Sequence, residues 1–273
     1  MKIPTLRPPL KWAGGKQRLL PTLLPHLPRE GRLIEPFVGA GSVFMNAGDR
    51  PLYINDLNQD LVAMYEILRD RPAEYIQRAQ SLFTEGMLSP SAYLAARSAF
   101  NAATDTMERA SLLLYLNRFG FNGLYRVNRR GEYNVPYGHL KKLPSLPLDR
   151  LVTMSAKLQD ATITNFDFRE VMRIAESGDV VYCDPPYASP ASNSMSFTGY
   201  TAGGFTHADQ TELAALAHEA ATRGATVIIS NHDTPEMRDL YRGMEIHSVE
   251  VRRSVAASAD RRGTANELIA VLR

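Results

Sequence analysis

Cysteine is almost absent from this chain. Cys183 is the single one in 273 residues, which excludes a disulfide framework and any cysteine-based metal cluster. The histidines His26, His139, His207, His218, His232 and His247 are scattered, with no His-x-x-x-His pair, so no metal site is expected. No stretch approaches the roughly 18 consecutive apolar residues of a membrane-spanning helix. The opening residues, Met1-Lys2-Ile3-Pro4-Thr5-Leu6-Arg7, lack the apolar core of a secretory signal. A cytoplasmic, metal-free protein, monomeric in solution, is the expectation. A strong charge of one sign is lacking too: the net charge of +2 does not by itself argue for nucleic acid. The distribution is more suggestive, with basic clusters at Arg126, Arg129 and Arg130, at Lys141 and Lys142, and at Arg252, Arg253, Arg261 and Arg262. Such clusters are either solvated surface or a patch that tracks phosphates.

What is present is an alternation of strand and helix patterns. Leu33-Ile34 followed by Phe37-Val38 reads as a short buried strand ending in a turn at Gly39-Ala40-Gly41, with a helix starting over residues 42–48. Leu52 to Asn55 is a second strand, stopped by Asp56. From Leu57 to Phe119 apolar residues recur at helical spacing, as at Leu57, Leu61, Met64, Tyr65 and Leu68. Arg126 to Val135 predicts a hairpin with Gly131 in its turn. Thr162 to Thr164, Val180 to Cys183 and Thr226 to Ile229 are short, β-branched and apolar, like buried parallel strands. Thr206-His207-Ala208-Asp209 predicts a capping box opening a helix through Arg223, closed by Gly224. Residues 246–251 and 267–272 complete the sheet. The pattern predicts an α/β fold with an insertion over residues 58–157, the sheet being built from 1–57 and 158–273.

Four segments carry chemistry. Asp184-Pro185-Pro186-Tyr187 follows a strand, at the carboxyl end where open α/β sheets place ligands. Two prolines fix φ and remove two N–H donors, leaving a stiff loop with carbonyls free to accept. A carboxylate and a proline carbonyl can together accept both hydrogens of an exocyclic amine, and the Tyr187 ring can stack on a purine, as an extruded adenine requires. Such a tetrad arises by chance in on the order of one chain in a hundred, and the preceding strand lowers that further. Phe37-Val38-Gly39-Ala40-Gly41 lets backbone approach a cofactor closely; Phe44 stands where a dinucleotide fingerprint needs its third glycine. Asp56, ending the next strand, is placed for ribose hydroxyls. Lys11-Trp12-Ala13-Gly14-Gly15-Lys16 holds the only tryptophan between two lysines. In Arg118-Phe119-Gly120-Phe121-Asn122-Gly123-Leu124-Tyr125-Arg126, interleaved aromatics, Asn and Arg suit a surface that intercalates and reads bases, or a helix end packed into a core.

Together and in this order, these segments resemble the Dam family of DNA adenine methyltransferases. The similarity also takes in Glu35 to Phe44, Gly131 to Gly138, Val181 to Tyr187 and Ile229 to Thr234. The resemblance implies a Rossmann-like methyltransferase sheet with an inserted, mainly helical DNA-recognition domain carrying the hairpin. It implies S-adenosylmethionine as donor and adenine in GATC of double-stranded DNA as target. Trp12, Lys16, Phe37, Gly39, Gly41 and Asp56 would line the cofactor site. Asp167 and Phe168 would contact the cofactor's adenine, and Asp184 would lie between cofactor and base. Lys11 and Arg126 would read guanines, Leu124 and Pro136 a thymine methyl; Phe121 would wedge into the stack and Asn122 meet the base left unpaired. Arg118 and Asn134 join this DNA-binding set. Residues 256–263, small, polar and basic, would form a mobile loop near the DNA. The residues by themselves also admit a cytosine-N4 methyltransferase, a non-catalytic DNA-binding regulator and, against the missing glycine, a nicotinamide-dependent oxidoreductase.

Overall fold

The computed structural model describes residues 5–186, 205–252 and 264–273. Tyr187 and the loop expected at 256–263 lie outside these residues. Among the described residues the strands form one seven-stranded sheet, with β1 (Leu33–Glu35), β2 (Leu52–Asn55), β3 (Thr162–Thr164), β4 (Val180–Cys183), β5 (Thr226–His232), β6 (Glu245–Arg252) and β7 (Thr264–Leu272) in the order β3-β2-β1-β4-β5-β7-β6. The pairs from β3 to β5 are parallel. β7 enters antiparallel between β5 and β6. The arrangement is a Rossmann-like methyltransferase sheet.

Alternation along β4 shows how the sheet is sandwiched. Val180 and Tyr182 point into one apolar cluster, Val181 and Cys183 into another on the opposite face. The second cluster is closed by α7 (Phe168–Arg173), α8 (His207–Thr222) and α9 (Pro235–Leu240). The first is covered by α1 (Leu20–Leu23), α2 (Gln59–Asp70) and α6 (Leu148–Leu158), and continues without a break into α3 (Pro72–Ser81), α4 (Pro90–Ala102) and α5 (Thr106–Phe119). α5 is apolar nearly all round because α2, α3 and α4 surround it. The helices between β2 and β3 therefore share an apolar core with the sheet face.

Caps set the helix starts. Asn58 accepts the Asp60 and Leu61 N–H groups at the head of α2, and Thr206 with Asp209 makes the expected capping box at α8. The hairpin is held by Asn128 N–H to Glu132 C=O at 2.9 Å and Asn134 N–H to Arg126 C=O at 3.0 Å, with Gly131 in the turn.

Three local expectations need correction. Residues 42–48 form a single 3-10 turn, Phe44–Asn46, ended by Gly48 at φ +82° and the approach to Pro51, which leave no length for a helix. Phe37 and Val38 lie beyond β1, which ends at Glu35 where the chain turns to the cleft. β3 is not a buried strand: it is the sheet's edge and partly exposed.

Candidate active site

β1 and β4 are neighbours whose chains leave toward opposite sides of the sheet, so a crevice opens beyond their carboxyl ends. A cleft of about 410 Å³ lies there, walled by residues 12–16, by the loops after β1, β2 and β3, and by Asp184-Pro185-Pro186. The loop after β1 folds back so that the Gly41 N–H meets the Val38 carbonyl at 2.9 Å. Gly41 has φ +81°, and a Cβ there would lie 2.2 Å from the Phe44 ring, so this position admits only glycine. Asp56 ties the two loops together, accepting Gly39 N–H at 3.0 Å and Asn58 N–H at 2.9 Å. Its burial raises the carboxyl to about 6, against the pull of those two donors.

Asp184 forms the floor. Its Oδ1 lies 2.8 Å from Lys16 Nζ, and Ser230 Oγ donates to the same oxygen at 3.0 Å. Lys16 is only 5% exposed and also donates to Gly14 O at 2.8 Å. Ser230 is braced in turn by the Tyr182 hydroxyl, 2.8 Å away. Burial pushes the Asp184 carboxyl up, and Lys16 and Ser230 only partly reverse this. For Lys16, burial acts to lower the ammonium, but Asp184, Tyr182 and Glu267 outweigh it and hold it above its ordinary value. The ion pair is thus intact and sequestered.

The cleft suits a cationic donor carrying an aromatic base. Glu35 is buried at its wall with Oε1 lacking a hydrogen-bond partner. Burial drives that carboxyl well above its usual range, with a smaller push from Asp184. A positive group in the cleft would relieve this. At the other end Phe37, Phe168 and Phe205 pack mutually at 5.4 to 5.7 Å, offering an apolar slot. Asp167 caps α7 and pairs with Arg169, whose guanidinium sits 4.5 Å over Phe168 and also reaches Asp209 and Glu212. Trp12 packs between Gly39 and Tyr125. All the residues expected at a cofactor line this cleft except Gly41, which shapes its loop.

The residues expected at DNA gather on a second face. Phe121 is 49% exposed at the head of a 3-10 turn, Phe121–Gly123, and its N–H bonds the Pro136 carbonyl at 2.9 Å. Asn122, in the left-handed region at φ 54°, is exposed beside it. The turn is secured from beneath by buried Asn117, which accepts Lys11 N–H at 2.8 Å and donates to the Lys11 and Gly123 carbonyls at 2.7 and 2.9 Å. A Cβ on Gly123 would fall 2.5 Å from Lys11 Cβ, so the two segments touch. Arg126 is oriented by Asn134, through Nε to Oδ1 at 2.6 Å and Nη2 to its carbonyl at 3.1 Å. Leu124 is half-buried and Pro136 exposed. Arg118 is half-buried on α5 with its Nε unpartnered. Burial lowers Lys11, and Arg118 adds to this; burial lowers Arg118 likewise, with Arg150 adding. A cluster of cations that lower one another is poised to receive an anion.

Sequence reasoning assigned no role to Ser230, Tyr182, Glu35, Phe205 or Asn117. Ser230 carried a signal, since a polar residue inside an apolar β5 beside β4 has to face something polar. Phe205 and Asn117 carried none, because their partners lie far along the chain.

Residues 12–255 match the family model of the D12 class N6 adenine-specific DNA methyltransferases. The chain is 43% identical over 263 residues to the DNA adenine methylase of Vibrio cholerae serotype O1, covering 96% of this chain and 94% of that one. It is 43% identical over 262 residues to the Escherichia coli K12 DNA adenine methylase, with the same coverage. With the Serratia marcescens DNA adenine methylase it shares 42% over 265 residues, 97% of each chain. Sheet order, cleft and sequence agree: the chain belongs to the D12 class of N6 adenine-specific DNA methyltransferases and is an adenine-N6 DNA methyltransferase.

Proposed function

We propose that the enzyme takes its methyl group from S-adenosylmethionine and transfers it to adenine N6 within GATC of double-stranded DNA. The adenine is rotated out of the helix into the cleft. The observation that carries this reading is Asp184, pinned through Oδ1 by Lys16 and Ser230 on the floor of the cleft. Its Oδ2 and the Pro185 carbonyl accept the two N6 hydrogens, which turns the nitrogen lone pair toward the donor. The raised carboxyl is a stronger acceptor than an ordinary one. Bound S-adenosylmethionine supplies an electrophilic methyl on a sulfonium. Asp56 faces the donor's ribose, Phe37 and Phe168 its base, and Trp12, Lys16 and the Gly39–Gly41 loop complete the wall. Asp167 holds Arg169 behind that slot. Alignment and fixed charges, with no covalent intermediate, then provide the acceleration.

Reading of the sequence falls to residues 58–157, together with Lys11. Lys11 and Arg126 address guanines, Leu124 and Pro136 the thymine methyl, Phe121 enters the stack and Asn122 meets the orphaned base. Asn134 acts through Arg126, and Arg118 supplies positive charge beneath Lys11. All these groups come from one chain, which supports a monomer, and a DNA substrate supports a cytoplasmic enzyme, either nucleoid-associated or phage-encoded in a bacterial host.

The test is to methylate plasmid DNA and challenge it with nucleases that respond to adenine methylation at GATC. Protection from the blocked nuclease and cleavage by the methyl-dependent one are expected; unaltered digestion by both would overturn the GATC assignment.

A further inference from the structure

After Asp184 the amine-binding loop runs through two residues with no backbone N–H. Pro185 and Pro186 both lack the donor, so these two residues can be held by hydrogen bonds only through their carbonyls. If the Pro185 carbonyl is kept for the substrate, the Pro186 carbonyl is the remaining handle. In the structure that carbonyl accepts the Gln210 side-chain amide at 3.2 Å. Gln210 is on α8, just inside the capping box, and is fully buried behind the cleft.

A buried glutamine has two ends to satisfy, and here both are. Gln210 Oε1 accepts from Asn231 Nδ2 at 3.1 Å and from the Tyr241 hydroxyl at 3.3 Å. Asn231 Nδ2 gives its second hydrogen to the Tyr241 oxygen at 2.9 Å, and Asn231 Oδ1 accepts the His232 N–H at 2.8 Å. The triangle gives both Asn231 amide hydrogens and the Tyr241 hydroxyl an acceptor, and it fixes the Gln210 amide's direction: two donors on the oxygen leave only Nε2 to face Pro186. Asn231 and Tyr241 are buried too, and burial holds the Tyr241 phenol up at about 12, so it remains a donor. Asp184 is thus pinned at one end of the loop by Lys16 and Ser230, and Pro186 at the other by Gln210.

We propose that Gln210, oriented by Asn231 and Tyr241, is a positioning residue that aims the Pro185 carbonyl at the target amine. It touches neither donor nor base, and it acts on the rate of transfer rather than on binding. This rests on the reading of Asp184 and Pro185 as the amine-binding groups. Because near-attack geometry is steep, losing the Nε2 hydrogen bond is expected to lower kcat about 10- to 100-fold.

The test compares Gln210→Met, Gln210→Glu and Tyr241→Phe in the whole enzyme. The measurements are kcat and KM on a duplex GATC substrate, S-adenosylmethionine affinity by calorimetry, and thermal melting. Gln210→Met is expected to lose kcat with DNA KM and donor affinity unchanged. In Gln210→Glu the protonated acid restores a donor to Pro186, so its kcat relative to wild type is expected to exceed that of Gln210→Met and to rise, or stay near unity, as pH falls. Tyr241→Phe, which keeps the Asn231 contact, is expected to fold and to lose under about threefold. Equal kcat losses in Gln210→Met and Gln210→Glu at every pH, or wild-type kcat in Gln210→Met, would overturn the proposal. If Gln210→Met does not fold, Gln210→Glu decides alone: a kcat ratio to wild type that stays well below one and flat with pH overturns it. Asp184→Ala run alongside separates the two readings: an active Asp184→Ala sinks the amine site itself, while an inactive one with unaffected Gln210 variants sinks only the positioning role.

Discussion

The cleft and the face proposed to read DNA solve the same problem of preorganisation in opposite ways. In the cleft the side chains are already engaged: Lys16 with Asp184, Ser230 with Asp184, Asp56 with two backbone N–H groups. On the reading face it is the backbone that is engaged. Asn117 fixes Lys11 and Gly123 from below, while Asn101 accepts the Tyr133 N–H at 2.8 Å and donates to its carbonyl at 3.1 Å. Above this frame Phe121 and Asn122 stand exposed. The difference follows from the ligands. A reacting amine needs fixed charge at one place, so charge is buried and braced there. The proposed DNA contacts are of two kinds: Phe121 and Asn122 stay solvated on a fixed backbone, and the Arg126 guanidinium is held ready by Asn134. Tyr125 stands where the two regions meet: it packs on Trp12 and donates to Asp60 at 2.6 Å.

The largest effect should come from breaking the pair in the cleft. Lys16→Met leaves Asp184 buried without its cation and is expected to cost about 3 kcal/mol of stability, with loss of methyl transfer. Wild-type melting and activity would show that the cleft is not braced by charge. Asn117→Ala removes the partner of three backbone groups, the Lys11 N–H and C=O and the buried Gly123 C=O, and should cost about 2 kcal/mol. It should weaken DNA binding while calorimetry finds donor affinity intact; an equal loss of donor affinity would mean the two regions are not separable. Arg126→Ala ought to leave melting unchanged and relax discrimination at one guanine by up to about 2 kcal/mol, measured by competition with substituted duplexes. A uniform loss over all sequences would demote Arg126 to a phosphate contact. The smallest effect is a pH dependence. Asp56, raised to about 6, is ionised above that pH and protonated below it. Donor affinity should therefore fall by about tenfold or less as pH drops through 6, a step missing from Asp56→Asn. The same step in that variant would point to another group.

Much of this was legible where chemistry and local pattern coincide. Strands β3, β4 and β5 are short β-branched runs, and the capping box at Thr206 uses residues whose side chains reach the next turn's N–H groups. Asp184, Asp56 and the glycine loop could be read because strand ends collect ligands. The braces could not. Ser230 meets Asp184 across 46 residues and Asn117 meets Lys11 across 106, and no local rule sees such distances. Residues 42–48 misled for a related reason: their composition allows a helix, but the chain there is consumed in folding the glycine loop back over Phe44.

The most direct test is nucleoside mass spectrometry of DNA treated with S-adenosylmethionine and either the wild-type enzyme or Asp184→Ala. N6-methyladenine from the wild type and none from Asp184→Ala is the expected result. Substantial N6-methyladenine from the variant, or N4-methylcytosine from the wild type, would contradict the assignment of Asp184 as the group that receives the adenine amine.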